Sequence, residues 1–301
     1  MLRSPGDRHG PPRLHPLRHL ALQRRGKGDT IPPAGNAMLQ FSDEAARKLE
    51  AIYSSVDIIA QRRATLERLA LNPGESVIDI GCGPGFLCEE MANAVGRTGR
   101  VLGIDISDDL LSVARERNEL DWLTYEQGDA RELDVPDATF EVAVSAQTLE
   151  FIDNADRALA EMFRVLKPGG RALIMNTDWD RVAWYSSDLT RMGKVRKAWE
   201  AHCEHPRLPQ TLVPRLRSVG FAITQLGTFP IINTRLEGGT YSHGLVDLML
   251  DFLGARGTVA PEELAAWAAE LRTLSAEGRY LFSTTRCFFG VRKPATDDTP
   301  A

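Results

Sequence analysis

The chain has 301 residues, 43% of them hydrophobic and 26% charged, with a formal net charge of −5. That is the balance of a globular protein, not of a disordered, collagenous or disulfide-framed one. No apolar run reaches the roughly 20 residues needed to span a bilayer. No compact apolar core of a secretory signal opens the chain. The four cysteines include no CxxC pair, so reduced thiols, a cytoplasmic location and no integral membrane segment are expected.

Residues 1–37 carry a charge of about +5 and the rest about −10. An acidic body opposes nucleic acid as a partner and leaves a small molecule as the expected one. The first 37 residues are rich in Pro, Gly, Arg and His and have no sustained periodicity. They predict a disordered basic extension, with Met38 as the working start. The folded domain is expected over 38–294, followed by a frayed tail over 295–301.

From Ser42, a plausible N-cap, "SDEAARKLEAIYSSVDIIAQRRATLERLAL" carries apolar residues at helical spacing, with a break at "YSS" beginning at Tyr53. "NPGE" is a turn and "SVIDIG" a short strand cut off by glycine. "GFLCEEMANAVG" reads as a helix, "GRVLGIDIS" as a second strand, and "DDLLSVARERNEL" as a helix capped from Ser107. "WLTYEQGDA" is a third strand and "FEVAVSAQTLEFI" a fourth entering a loop. "NADRALAEMFRVLK" is a helix stopped by "PGG", and "RALIMNTDWD" a fifth strand. Strand–helix units of this length predict an α/β fold, with a parallel sheet covered by helices on both faces and ligands at the strands' carboxyl ends. Beyond Asp180 the rhythm loosens. "LPQTLVPRLRSVGF" is a helix, "AITQLGTFPII" a strand, "SHGLVDLMLDFLGARG" and "PEELAAWAAELRTLSAEG" are helices, and "YLFSTTRCFFGVRKP" is a last strand.

The turn in "VIDIGCGPGFLC" (Val77–Cys88) is the strongest chemical signal. A dinucleotide site needs G-x-G-x-x-G; Gly81 and Gly83 fit, but the third position holds Phe86. No Gly-Lys-Ser/Thr follows, so a phosphate-binding P-loop is excluded. Acids stand at three successive strand ends: Asp79 just before the turn, Asp105 in "GIDIS" and Asp129 in "QGDA". Alone, each would read as a cap or a solvated charge. Together they suit a cationic amino group, a ribose diol and an exocyclic amine respectively.

"VIDIGCGPG", "GIDIS", "QGDA" and "RVLKPGG" together resemble the class I S-adenosylmethionine-dependent methyltransferases. The nearest branch is the small-molecule one that contains the ubiquinone/menaquinone (type 11) enzymes. The resemblance implies a Rossmann-like, seven-stranded, mostly parallel sheet with an antiparallel last strand. It also implies a helical lid, with insertions at about 179–210 and 233–278. It places S-adenosyl-L-methionine against Asp79, Gly81 and Gly83 at its methionine part, Asp105 and Ile106 at the ribose, and Asp129 and Ala130 at the adenine. Gln147 would lie near the sulfonium and the acceptor, and Tyr53 at the cofactor's edge.

The expected reaction is C- or O-methylation of a small, fairly apolar metabolite, which needs alignment, desolvation and deprotonation of the acceptor. Trp179, Trp184 and Tyr185 are candidates for the acceptor's wall, or for packing of the insertion. His243 is the candidate general base, set against a purely capping role for its helix start. Asp178 and Asp180 find no third ligand, so no metal is expected. Arsenite methyltransferases are similar around Cys88 and Cys203, but Gln147 stands where they carry an essential cysteine. Metalloid methylation and a non-catalytic cofactor-binding module remain the alternatives. The quinone enzymes' Arg-Asn pair is replaced by Ala146-Gln147, which points to a different acceptor.

Overall fold

A computed structural model describes residues 43–295. The basic extension, the Met38 start, the Ser42 cap and residues 296–301 of the tail lie outside the described residues. Five parallel strands form the centre: β1 (Ser76–Ile80), β2 (Arg100–Asp105), β3 (Leu123–Gln127), β4 (Phe140–Ala146) and β5 (Leu166–Thr177). They run in the order β3-β2-β1-β4-β5. Beyond β5 the sheet continues through β8 (Phe282–Arg292), antiparallel to it, and then β7 (Ala222–Asn233), antiparallel to β8. The sixth and seventh strands are thus where the sequence places them. An eighth, β6 (Ala183–Trp184), is only two residues long and pairs with β8 beyond the end of β5.

All five residues of β1 are buried, as expected of a strand with helices over both faces. One face is covered by α3 (Phe86–Val95), α4 (Asp108–Arg117) and the end of α2 (Val56–Leu69). The other is covered by α5 (Ala155–Val165) and α7 (Leu208–Val219). A third apolar cluster joins α1 (Asp43–Tyr53), α2, α6 (Leu189–Trp199), α8 (Tyr241–Arg256) and α9 (Pro261–Ala276) over the start of β8. Trp267, fully buried, lies in this cluster.

Local chemistry sets the element ends. The helical stretch expected from Ser42 breaks at "YSS" as read: α1 ends at Tyr53, and the Ser55 hydroxyl accepts from the Ile58 amide at 3.4 Å and starts α2 afresh. Ser107 caps α4 as expected, accepting from Leu110. "PGG" does not leave a free loop: β5 begins at Leu166, and the register jumps from Phe140↔Leu166 to Val142↔Arg171, absorbing the turn as a bulge. Helix α6 is missing from the sequence reading. Its buried residues Met192, Val195 and Trp199 have helical spacing, but Gly193 and four basic residues dilute the apolar signal.

Candidate active site

The site grows from the end of β1. Gly81, Gly83 and Gly85 all have left-handed φ values of 80°, 54° and 78°, which L side chains rarely adopt. At Gly81 space is also closed, because a Cβ there would run into the Thr148 side chain. The Thr148 hydroxyl donates to the Gly81 carbonyl at 3.1 Å, tying the turn to the exit of β4. The Gly81 and Cys82 amides donate to Ile104 at 2.7 and 3.0 Å.

The three strand-end acids behave differently. Asp79 is buried in β1. One carboxyl oxygen accepts from the Cys88 thiol at 3.3 Å, and the other has no partner. Burial pushes the carboxyl up to about 7; the Cys88 hydrogen bond opposes this and the Asp105 charge adds to it. A buried acceptor without a donor is costly unless something supplies one. Asp105 accepts from the Gly83 amide at 2.8 Å and the Ser107 amide at 2.9 Å. The ribose-type acid therefore also holds the glycine turn. Burial raises its carboxyl, against the hydrogen bonds from Ser107 and Gly83. Ile106 beside it accepts from the Gln127 amide at 3.0 Å. Asp129 departs from the simple expectation: its carboxylate is taken up by Arg131 at 2.6 Å, and that hydrogen bond lowers it. Ala130 packs against the α5–α7 side of the sheet.

Tyr53, the last residue of α1, leans over this edge. Its hydroxyl is raised by burial and then by the charges of Asp105 and Asp79, while Arg286 opposes the shift. Its ring stacks on Phe86, with centroids 5.9 Å apart and planes 7° apart. The guanidinium groups of Arg117 and Arg62 lie over the same Phe86 ring at 3.8 and 5.1 Å. The residue that breaks the dinucleotide pattern thus anchors the first helices to the glycine turn.

Residues 78–174 match the family model described as a methyltransferase domain. This stretch, from β1 into β5, belongs to the methyltransferase family of that model. Three curated relatives and two solved structures place it further. A 37.1 kDa protein of a Streptomyces fradiae transposon is 32% identical over 62% of this chain and 58% of its own length. The ubiquinone/menaquinone biosynthesis C-methyltransferase of Teredinibacter turnerae is 40% identical over 38% of this chain and 47% of its own. The demethylmenaquinone methyltransferase of Oceanobacillus iheyensis is 32% identical over 45% and 63%. The chain therefore spans about half to three fifths of these relatives. In fold it is similar to phosphoethanolamine N-methyltransferase 2 of Haemonchus contortus, solved with S-adenosyl-L-methionine (TM-score 0.55, 19% identity, 85% of this chain and 58% of that one). The YcgJ protein of Bacillus subtilis is likewise similar (TM-score 0.53, 16% identity, 78% and 99%).

Among the residues expected at the acceptor, the structure separates those near the glycine turn from those away from it. Gln147 lies at the end of β4 in a left-handed conformation with φ 57°, an uncommon place for a non-glycine residue. Its side-chain oxygen accepts from Thr177 at 2.5 Å and its buried amide nitrogen has no partner. Trp184 is core, not wall: it packs edge-on against Trp267 and Phe282 and donates to the Tyr280 hydroxyl at 3.1 Å. Tyr185 is exposed and engages Arg279 at the surface, so it does not line an interior pocket. Trp179 is half-buried, edge-on to His202 at 4.5 Å. His243 is 43% exposed in its side chain and reaches Asp247 at 3.6 Å, with no contact to the glycine turn among the described residues. Asp178 is held by Gln210 and Asp180 by Arg207.

Three further buried residues stand at this edge or next to it; of these, Glu150 and Arg286 escaped the sequence reading. Glu150 is fully buried after β4, takes the Asn176 amide and is pushed by burial up to about 7. His202 stacks on Trp199 at 4.0 Å, and burial drives it down to about 3, so it is neutral. Arg286 is buried in β8 opposite Thr177. The signal for it was present: one arginine inside the otherwise uncharged run "FSTTRCFFGV".

Proposed function

We propose that the protein uses S-adenosyl-L-methionine to methylate a small acceptor, at carbon or oxygen, beneath the cover formed by α1, α2, α6, α8 and α9. The observation that carries this reading is the unpartnered, buried oxygen of Asp79 beneath three left-handed glycines. It is an acceptor suited to an ammonium group, beside a turn whose tight approach to Thr148 leaves no room for a Cβ at Gly81. When bound, the cofactor supplies an electrophilic methyl carbon on a sulfonium, so no nucleophile of the protein is required.

The chain's own residues then have defined tasks. Asp79 holds the amino group. Gly81 and Gly83 let the ligand approach their backbone, and Asp105 accepts from the ribose with the lone pairs left by Gly83 and Ser107. Ile106 and Ala130 would flank the adenine. Asp129 joins them by position, its carboxylate shared with Arg131. Tyr53 closes the outer edge and keeps water out, and the Gln147 amide faces the reacting centre as an unused donor. The metalloid alternative loses support because burial keeps both Cys88 and Cys203 as thiols, not as the thiolates that would bind arsenic. Incubation with methyl-labelled cofactor and a metabolite extract, with arsenite plus thiol in a parallel arm, tests the reading. Label should enter an organic small molecule. Label appearing only in the arsenic arm would replace this reading with the metalloid one.

A further inference from the structure

Arg286 is only 2% exposed. A fully buried guanidinium is ordinarily paired with a carboxylate, because the desolvation cost of an unpaired charge is large. Here none of the described carboxylates forms an ion pair with it. Its Nε donates to the Gln61 side-chain oxygen at 2.8 Å and one Nη to the Thr177 hydroxyl. The ring of Tyr241 lies 4.7 Å beneath it. A buried acid that feels its charge, Glu150, is already occupied by Asn176 and the Thr177 amide. Of the five N–H donors of an arginine, two are used, both by neutral partners.

The position of this unspent cation is informative. Thr177 is the last residue of β5 and pairs with Arg286 across the sheet. The same Thr177 hydroxyl donates to Gln147, whose amide nitrogen is itself buried without a partner. Tyr53 senses Arg286 together with Asp105 and Asp79. Unused donors from β8 and from the exit of β4 therefore meet at the carboxyl edge of the sheet, on the acceptor side, held rigidly by Gln61, Thr177 and Tyr241. The other Nη makes none of these contacts, and a guanidinium with unused donors is the side chain best suited to a carboxylate.

We infer that Arg286 is a specificity-determining residue, and that the methyl acceptor carries a carboxylate on an otherwise apolar frame; this rests on the methyltransferase reading above. The Gln147 amide would add a donor to the same group or to the atom being methylated. The test uses the full chain saturated with S-adenosylhomocysteine, titrated calorimetrically with two matched pairs of probes: benzoate against benzamide, and hexanoate against hexanamide. In at least one pair the acid should bind the wild type about tenfold more tightly than its neutral amide. In Arg286→Met the preference should vanish while affinity for S-adenosylhomocysteine stays unchanged. Arg286→Lys keeps the cation without the fork and should retain only part of the preference. Equal affinity of acid and amide in both pairs, including no measurable binding of any probe, overturns the inference, and so does an undiminished preference in Arg286→Met. Failure of the wild type to bind S-adenosylhomocysteine would instead overturn the methyltransferase reading itself.

Discussion

At the scale of single residues, Asp79 connects the site's energetics to its use. Its carboxyl is raised to about 7 by burial, so the free protein holds it largely protonated in mild acid. An ammonium partner requires the ionised form. Affinity for S-adenosylmethionine should therefore rise between about pH 5.5 and about pH 7.5. Asp79→Asn should weaken binding by roughly 1–3 kcal/mol at neutral pH and flatten that rise. Titration calorimetry at three pH values checks both, and a wild-type affinity that falls with pH would contradict the assignment. Asp79, Asp105 and the glycines were legible in the sequence because strand-end position fixes what such residues face. The roles of Trp184 and Tyr185 were not. Trp184 ends a two-residue strand and Tyr185 follows it; the first points into the core and the second to solvent, and nothing local says which. Arg286 was overlooked because its partners, Gln61 and Thr177, are 225 and 109 positions away.

At the scale of elements, the α1–α2 corner is joined to the glycine turn through one ring. Phe86 receives Tyr53, Arg62 and Arg117 together, and Arg62 also donates to the Tyr53 carbonyl at 2.6 Å and pairs with Glu90 at 2.7 Å. Phe86→Ala should cost about 2 kcal/mol, less than a fully buried phenylalanine because the ring is only half-buried. It should also speed proteolysis within α1 more than elsewhere. Urea unfolding and limited proteolysis measure the two effects, and a uniform change in cleavage would argue against this local anchor. Periodicity and caps made most elements readable: Ser107, Asn154 and Ser55 all accept from their helix's first turn. The split between α1 and α2 was legible at "YSS", where Ser55 caps the second helix; where the reading failed, at α6, the decisive interaction was tertiary packing.

At the scale of the whole molecule, buried titrating groups set how stability varies with pH. Asp79 and Glu150 are both raised to about 7. Between about pH 4 and about pH 7 the folded chain holds protons there that the unfolded chain has released, so these groups lose stability as pH rises. His202, lowered to about 3, acts in the opposite sense up to about pH 6.5 and offsets one of the two. The ligand-free protein should therefore be less stable at about pH 7.5 than at about pH 5.5, on the order of 1–3 kcal/mol. Glu150→Gln should shrink the difference, as read by urea unfolding at the two pH values; a rise in wild-type stability over that range would contradict the account. Below this range Glu141 reverses the trend. Burial raises its carboxyl, but hydrogen bonds from Lys167 and Ser76 outweigh that and bring it down to about 2, so its stabilisation is lost as pH falls from about 4.5. The sheet order was legible because short strand–helix units allow few topologies. How α1, α2, α6, α8 and α9 pack into one shared core was not, since it joins segments from both ends of the described chain.

The central claim is that the turn at Gly81–Gly85 is a cradle for a sulfonium amino acid nucleoside and not for a dinucleotide. Titration calorimetry of the full chain with S-adenosylhomocysteine and with NAD tests it most directly. The account predicts saturable one-site binding of S-adenosylhomocysteine, abolished or much weakened in Asp105→Ala, and no heat from NAD. Binding of NAD with none of S-adenosylhomocysteine, each at about millimolar concentration, would contradict it.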